Sequence, residues 1–126
     1  MNYRDEYRNS VDAREYFWEE KSKDLPWIKE PTKMLTVGVD GFPSWFDGGF
    51  LNTSYACLDH HVDAGRGGQD ALIYDSPVSN TIETYSYSEL RDRVARVAGS
   101  LKKLGVTQGT VVIIYMPMIP EAVISM

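Results

Sequence analysis

The clearest signal in the chain is a stripe of apolar residues at helical spacing. Leu90, Val94, Val97, Ala98, Leu101 and Leu104 recur at steps of four, three, one, three and three, which predicts an amphipathic helix over 87–104. Ser86 and Glu89 stand three apart at its start, the spacing of a capping box in which hydroxyl and carboxylate each satisfy an orphan amide. Gly105 follows the last apolar position, free to take a positive φ, with Lys102 and Lys103 in the final turn where the helix dipole favours cations. On either side the period changes. Ala71–Asp75 (ALIYD) reads as a buried strand, SPVSN as a turn, and Thr81–Tyr85 as its antiparallel partner. After the helix, VVIIYM (Val111–Met116) is a continuous apolar run of the kind that lies inside a parallel sheet covered on both faces. Strand, helix and strand then make a βαβ-like unit, and Pro120 at a first helical position opens one more helix.

The N-terminal half is patterned less regularly. Ser10 precedes VDAREYFWEEKSKD, where Val11, Phe17 and Trp18 share a broad face; this predicts a surface helix that stops by Asp24 or Leu25, because Pro26 disfavours helical geometry before it. Residues 27–50 alternate turn formers (Pro31, Gly38, Gly41, Pro43, Gly48, Gly49) with Trp27, Phe42, Trp45, Phe46 and Phe50, an irregular segment expected to pin itself to a surface through its rings. Tyr55, Leu58 and Val62 predict a short helix over 52–62, capped by Asn52, Thr53 or Ser54 and ended by the loop DAGRGGQD. The closing EAVISM is an apolar helix start with no cap and no polar tail, so the sequence is expected to be truncated.

Composition narrows the function classes. The chain is 43% hydrophobic and 25% charged, an ordinary globular balance. Its formal charge of −5 leaves no basic field for phosphate backbones, so nucleic acid is not an expected partner. Cys57 is the only cysteine, which excludes an intrachain disulfide and suits a reducing compartment. The N-terminus has neither a signal-peptide nor a transit-peptide pattern, and the apolar stretch 111–126 is broken by Pro117, Pro120 and Glu121, short of the roughly 18–20 apolar residues of a membrane span. A cytoplasmic location with no membrane partner is expected.

Four groups of residues could carry chemistry. Cys57, Asp59, His60, His61 and Asp63 include thiol, imidazole and carboxylate ligands, but a closed zinc site needs a second ligand pair and the chain has no other Cys or His. The group reads as a buried, inert cysteine beside surface histidines. Gly65, Gly67 and Gly68 lack the preceding strand, the Lys and the Ser/Thr of a phosphate cradle, and read as a flexible turn. The aromatic set Trp18, Trp27, Trp45, Phe46 and Phe50 reads as packing, and the basic row of the 87–104 helix as a solvated face.

Several blocks in order carry a family resemblance: FWEE with LPWIKEP, then WFDGGFLNTSYACLDHH (Trp45–His61), ALIYDSP, TYSYSEL with its helix, and YMPMIPEA. Together they resemble the N-terminal portion of the short-chain acyl-CoA synthetases, the acetate– and propionate–CoA ligase family of AMP-forming enzymes. The segment IYDSPVSNT looks more like the propionate branch. Where the family typically reads SYNCLDRH, Ala56 and His60 replace Asn and Arg. The resemblance implies an α/β fold: a helical and irregular N-terminal segment over residues 3–61, then the first βαβ part of a larger adenylate-forming domain over 62–126. It implies a reaction that joins a short carboxylate to ATP as an acyl-adenylate, releases pyrophosphate and passes the acyl group to coenzyme A, with magnesium. The phosphate loop, the magnesium acid, the hinge acid and the C-terminal lysine of that chemistry are not among these 126 residues. No catalytic, cofactor-binding or metal residue is therefore assigned, the segment alone is expected to bind none of ATP, magnesium or coenzyme A and to be inactive, and its expected partner is the remainder of the synthetase chain. The alternative is a stand-alone, non-catalytic chain that keeps only packing and interaction surfaces. A flavodoxin-type nucleotide domain ranks last, because no phosphate loop follows a strand.

Overall fold

A computed structural model describes residues 2–126, which divide into two compact units, Met1–Ala56 and Cys57–Met126. The first opens with α1 (Tyr3–Asp12) and α2 (Arg14–Ser22), interrupted at Ala13, whose backbone leaves helical geometry. The helix expected from Ser10 thus begins seven residues earlier, as part of α1. The local cause is Asn2, whose Oδ1 accepts from the Asp5 amide at 3.0 Å, with Asp5 and Glu6 placed where the dipole favours anions. The stop before Pro26 is as the sequence implies.

Residues 27–50 are more regular than their glycines and prolines suggest. They contain the antiparallel hairpin β1 (Lys33–Val37) and β2 (Pro43–Asp47), in which Leu35 faces Trp45 and Lys33 faces Asp47. Gly38, Gly41 and Pro43 are the punctuation of its turn, with Gly41 at φ 78°. The aromatic anchoring holds only in part. Trp27 packs on Phe46 at 5.6 Å between centroids and donates from Nε1 to the Ser22 carbonyl at 2.8 Å, whereas Phe42 and Phe50 stay exposed. A side chain at Gly49 would meet the Phe46 carbonyl and the Trp27 ring, both at 3.0 Å, so this position admits only glycine without a shift.

In the second unit, β3 (Asp70–Ser76) and β4 (Thr81–Ser86) form the expected hairpin, and α5 (Tyr87–Lys103) the expected helix. Before them, the chain winds through α3 (Thr53–Cys57), α4 (Asp59–His61) and one wide helical turn, Val62–Arg66, in place of a single helix and a loop. The break falls at Leu58, whose φ of −126° takes it out of the helix and turns its side chain to the core. That core is small: Leu58, Tyr85, Leu90 and Ile124, with Leu72 and Val94 among the residues packed around it. Pro120 opens α6 (Pro120–Ser125) as the sequence implies, which buries Ala122 and Ile124.

The class is α/β, but the parallel pairing expected of VVIIYM is not formed. Among the described residues there are only two two-stranded antiparallel sheets, and 111–117 joins neither. A strand needs a neighbour to satisfy its amides, and β3 is paired by β4 alone. The helix stripe is likewise buried unevenly: Leu90 is 5% exposed and Leu104 81%. Urea melts should therefore give Leu90→Ala a loss of about 2–5 kcal/mol and Leu104→Ala a loss within about 0.5 kcal/mol. Equal losses at the two positions would show that α5 is covered along its whole length.

Candidate functional site

The densest chemistry in the second unit lies where the wide turn Val62–Arg66 delivers the chain to the start of α5. A helix begins with unsatisfied amides, and here they are taken one by one. The Ser86 amide donates to Glu89 Oε2 at 2.9 Å, the Tyr87 amide to the Gln69 carbonyl at 3.0 Å, the Ser88 amide to the Gly67 carbonyl at 3.0 Å, and the Glu89 amide to Ser86 Oγ at 3.3 Å. The expected capping box is present, and the glycine run is what lets the loop reach it. Gly65 sits at φ 78°, and a Cβ on Gly67 would stand 2.5 Å from Ser88 Oγ. Gly67 thus lets the loop close against the helix, and the amides that a phosphate would need at the start of α5 are already engaged.

Side chains complete the turn. Arg66 donates from Nε to Gln69 Oε1 at 2.8 Å, contacts His61 Nδ1 from Nη1 at 3.2 Å and lies 5.3 Å over the Tyr87 ring. A guanidinium only donates, so His61 Nδ1 accepts and its other nitrogen carries the proton. The His61 and Tyr87 rings are 4.8 Å apart. Nothing in the sequence signalled this clasp, because its members fall in three separate readings: His61 in a ligand set, Arg66 and Gln69 in a loop, and Tyr87 at the start of a helix.

The other sequence candidates fall apart spatially. Cys57 is exposed rather than buried, since the end of α3 turns it outward while Leu58 takes the inward place. His60 and His61 are half-buried rather than free at the surface. Among the described residues no three His, Cys, Asp or Glu side chains are placed to hold a metal ion. The basic row of α5 is not wholly solvated. Arg93 lies 4.5 Å over the buried Tyr85 ring, and Tyr85 Oη donates to Glu83, a bond that with burial raises the phenol above its ordinary pKa. This set ties β4 to α5. A shallow groove of about 250 Å³ runs beside β3, lined by Leu72, Tyr74, Met118 and Val123 among others. It is mostly apolar, with Asp75 as well as Tyr74 in its lining.

Known proteins match this arrangement from end to end. The pattern of the acetyl-coenzyme A synthetase N-terminus matches residues 3–57, and that of the AMP-binding enzymes residues 58–126. An uncharacterised protein of Pseudomonas aeruginosa is 47% identical over 126 residues, 100% of this chain and 20% of that protein. The acetyl-coenzyme A synthetase of Pseudoalteromonas atlantica is 42% identical over 123 residues, covering 95% of this chain and 19% of its own. Human acyl-CoA synthetase short-chain family member 3, mitochondrial, is 40% identical over 124 residues, 98% of this chain and 18% of its own. The solved acetoacetyl-CoA synthetase from Streptomyces lividans superposes with a TM-score of 0.81 at 29% identity, over 99% of this chain and 19% of that one. The chain spans about a fifth of the length of the curated relatives it matches.

The capping box has a pH signature. Hydrogen bonds from the Ser86 amide and hydroxyl hold the Glu89 carboxyl below its ordinary pKa. A lowered folded pKa contributes stability that is present above the unfolded value, about 4.3, and lost as pH falls through the folded one. Urea midpoints at pH 6 and pH 3 should fall further for the wild type than for Glu89→Gln. An identical drop in both would show that the carboxylate does not cap α5.

Proposed function

We propose a function from one premise: the chain belongs to the AMP-binding enzyme family, and its first residues carry the acetyl-coenzyme A synthetase N-terminus. It is the N-terminal region of an acyl-CoA synthetase, a ligase, whose longer protein joins propionate or acetate to coenzyme A through an acyl-adenylate, at the expense of ATP. Within it, residues 3–61 act as the synthetase-type N-terminal domain and 62–126 as the beginning of the AMP-binding domain; the two compact units Met1–Ala56 and Cys57–Met126 support a division in this neighbourhood. The observation that carries the reading is order: two family patterns abut at 57 and 58, without a gap, over a fold that a synthetase of known structure repeats along nearly all of this chain.

ATP, magnesium and coenzyme A belong to the longer protein. The amides at the start of α5, where a phosphate would dock, are engaged within the chain. What this segment does is mechanical. Leu58 and Ile124 clamp the β3–β4 hairpin and α5 into one piece, and the Glu83, Tyr85 and Arg93 set fixes the angle of that helix on the hairpin. A synthetase built on this edge needs it rigid, because reacting groups must be held to within a fraction of an ångström. The acidic, single-cysteine composition supports work in the cytoplasm.

The test is to join residues 1–126 to the remainder of the Pseudomonas aeruginosa relative and assay acid-dependent pyrophosphate release from ATP. The 126-residue chain alone should release none, and the joined protein should turn over acetate or propionate, with the IYDSPVSNT segment favouring propionate. A folded joined protein that activates neither acid would leave the non-catalytic reading in place.

A further inference from the structure

The strand β1 has β2 on one edge and, among the described residues, no strand on the other. Which amides face that open edge follows from the pairing. Thr32 donates to the Asp47 carbonyl at 2.9 Å and Gly38 to the Phe42 carbonyl at 3.0 Å, so the even-numbered residues between them turn toward β2. Lys33 and Leu35 therefore present their N–H and C=O groups outward. The outer edge of β2 is blunted by Pro43 and by Phe46, whose φ is 58°. β1 contains neither a proline nor such a backbone angle. Along its open edge, between the strand and α2, runs a groove of about 430 Å³ lined by Glu15, Glu19 and the successive residues 31–35. Neighbouring residues of an extended chain point to opposite faces, so a groove that touches all of them follows the edge.

The charges along this groove select an occupant. A smaller hollow of about 130 Å³ adjoins it, sharing Glu19, Pro31 and Met34 and adding Glu30. Among the described residues Glu15, Glu19 and Glu30 form no ion pair, whereas of the lysines in the lining Lys23 is held by Glu20 and Lys33 is unpaired. Carboxylate is thus in excess beside a row of open backbone groups. A second copy of a chain whose formal charge is −5 is repelled from it overall, and an apolar partner would bury the carboxylates without a counter-charge. An added strand with cationic side chains meets both features at once, backbone pairing giving hold and charge giving selection. We propose that β1 takes up an extended, lysine- or arginine-bearing segment of a partner protein as a third strand, its backbone paired to Lys33 and Leu35 and its cations set against Glu15, Glu19 and Glu30. Nothing in this capture depends on the reaction proposed above.

Amide exchange, read residue by residue, tests this in residues 1–126 joined to the remainder of the Pseudomonas aeruginosa relative, with a capped peptide of alternating valine and lysine as the probe. Without peptide, the Lys33 and Leu35 amides should exchange unprotected. With it they should slow by about tenfold or more, while the Gly38 amide, already bonded to β2, stays as it was. A peptide of alternating valine and glutamate should leave all three unchanged. Glu15→Gln together with Glu19→Gln should weaken binding of the lysine peptide by about tenfold and flatten its salt dependence, with protection at Gly38 reporting that the hairpin is still folded. Protection of Lys33 and Leu35 before any peptide is added would overturn the proposal, since the synthetase's own chain or a second copy would then hold the edge. Binding that leaves the two amides unprotected would sink strand addition, and equal binding by the double variant would sink the carboxylates as its selectors.

Discussion

The structure of Cys57–Met126 depends on how the first turn of α5 is satisfied. A helix of 17 residues presents several amides at its start with no partner inside the helix, and leaving them unpaired would weaken the element that carries Leu90 into the core. Ser86 and Glu89 serve two of them locally, and the carbonyls of Gly67 and Gln69 serve two more from a distant turn. The second pair is what makes tertiary structure of a local motif. Because those carbonyls must stand against the helix end, the loop before β3 has to close tightly, and Gly67, in contact range of Ser88, is there to permit it. Once the loop is closed, Arg66 is carried over Tyr87 and beside His61, and Leu58 is set against Tyr85 and Leu90.

The first unit solves a similar problem with less burial. It has no large core; its helices expose most of their apolar residues, Tyr3 and Tyr7 stacking on each other at 6.4 Å. Its order comes from backbone pairing in the β1–β2 hairpin, from the bridge between Lys29 and Phe50, and from Trp27, whose indole donates to the end of α2 while its ring meets Phe46. A tryptophan suits that place because it offers a large apolar face and one donor together. The unit is therefore an irregular chain held by a few directed contacts, and its exposed rings, Phe42 and Phe50 among them, are apolar surface left over after those contacts are made.

The candidate chemistry dissolves for the same reason that the fold forms. Glycines, histidines and an arginine gathered between 60 and 68 look like a ligand site in one dimension. In three, Gly67 is taken up by its close approach to Ser88, and His61 and Arg66 engage each other and Tyr87. Family membership, by contrast, rests on the order of whole blocks, which survives the loss of any single site residue.

What the sequence determined by itself was everything that depends on neighbours a few residues away. The α5 stripe, its capping box, the positive φ of Gly105, the β3–β4 hairpin, the stop before Pro26 and the start at Pro120 all follow from local periodicity and capping chemistry. The family was legible too, since ordered motifs are a one-dimensional property. Tertiary structure decided the rest. It made a hairpin of a segment that its glycines and prolines had made look irregular, because a strand is stabilised by a partner ten residues off and not by its own residues. It turned Cys57 outward and Leu58 inward, a choice set by one backbone angle. And it left VVIIYM unpaired, because an apolar run says that a strand wants covering on both faces but not which chain segment will supply the cover.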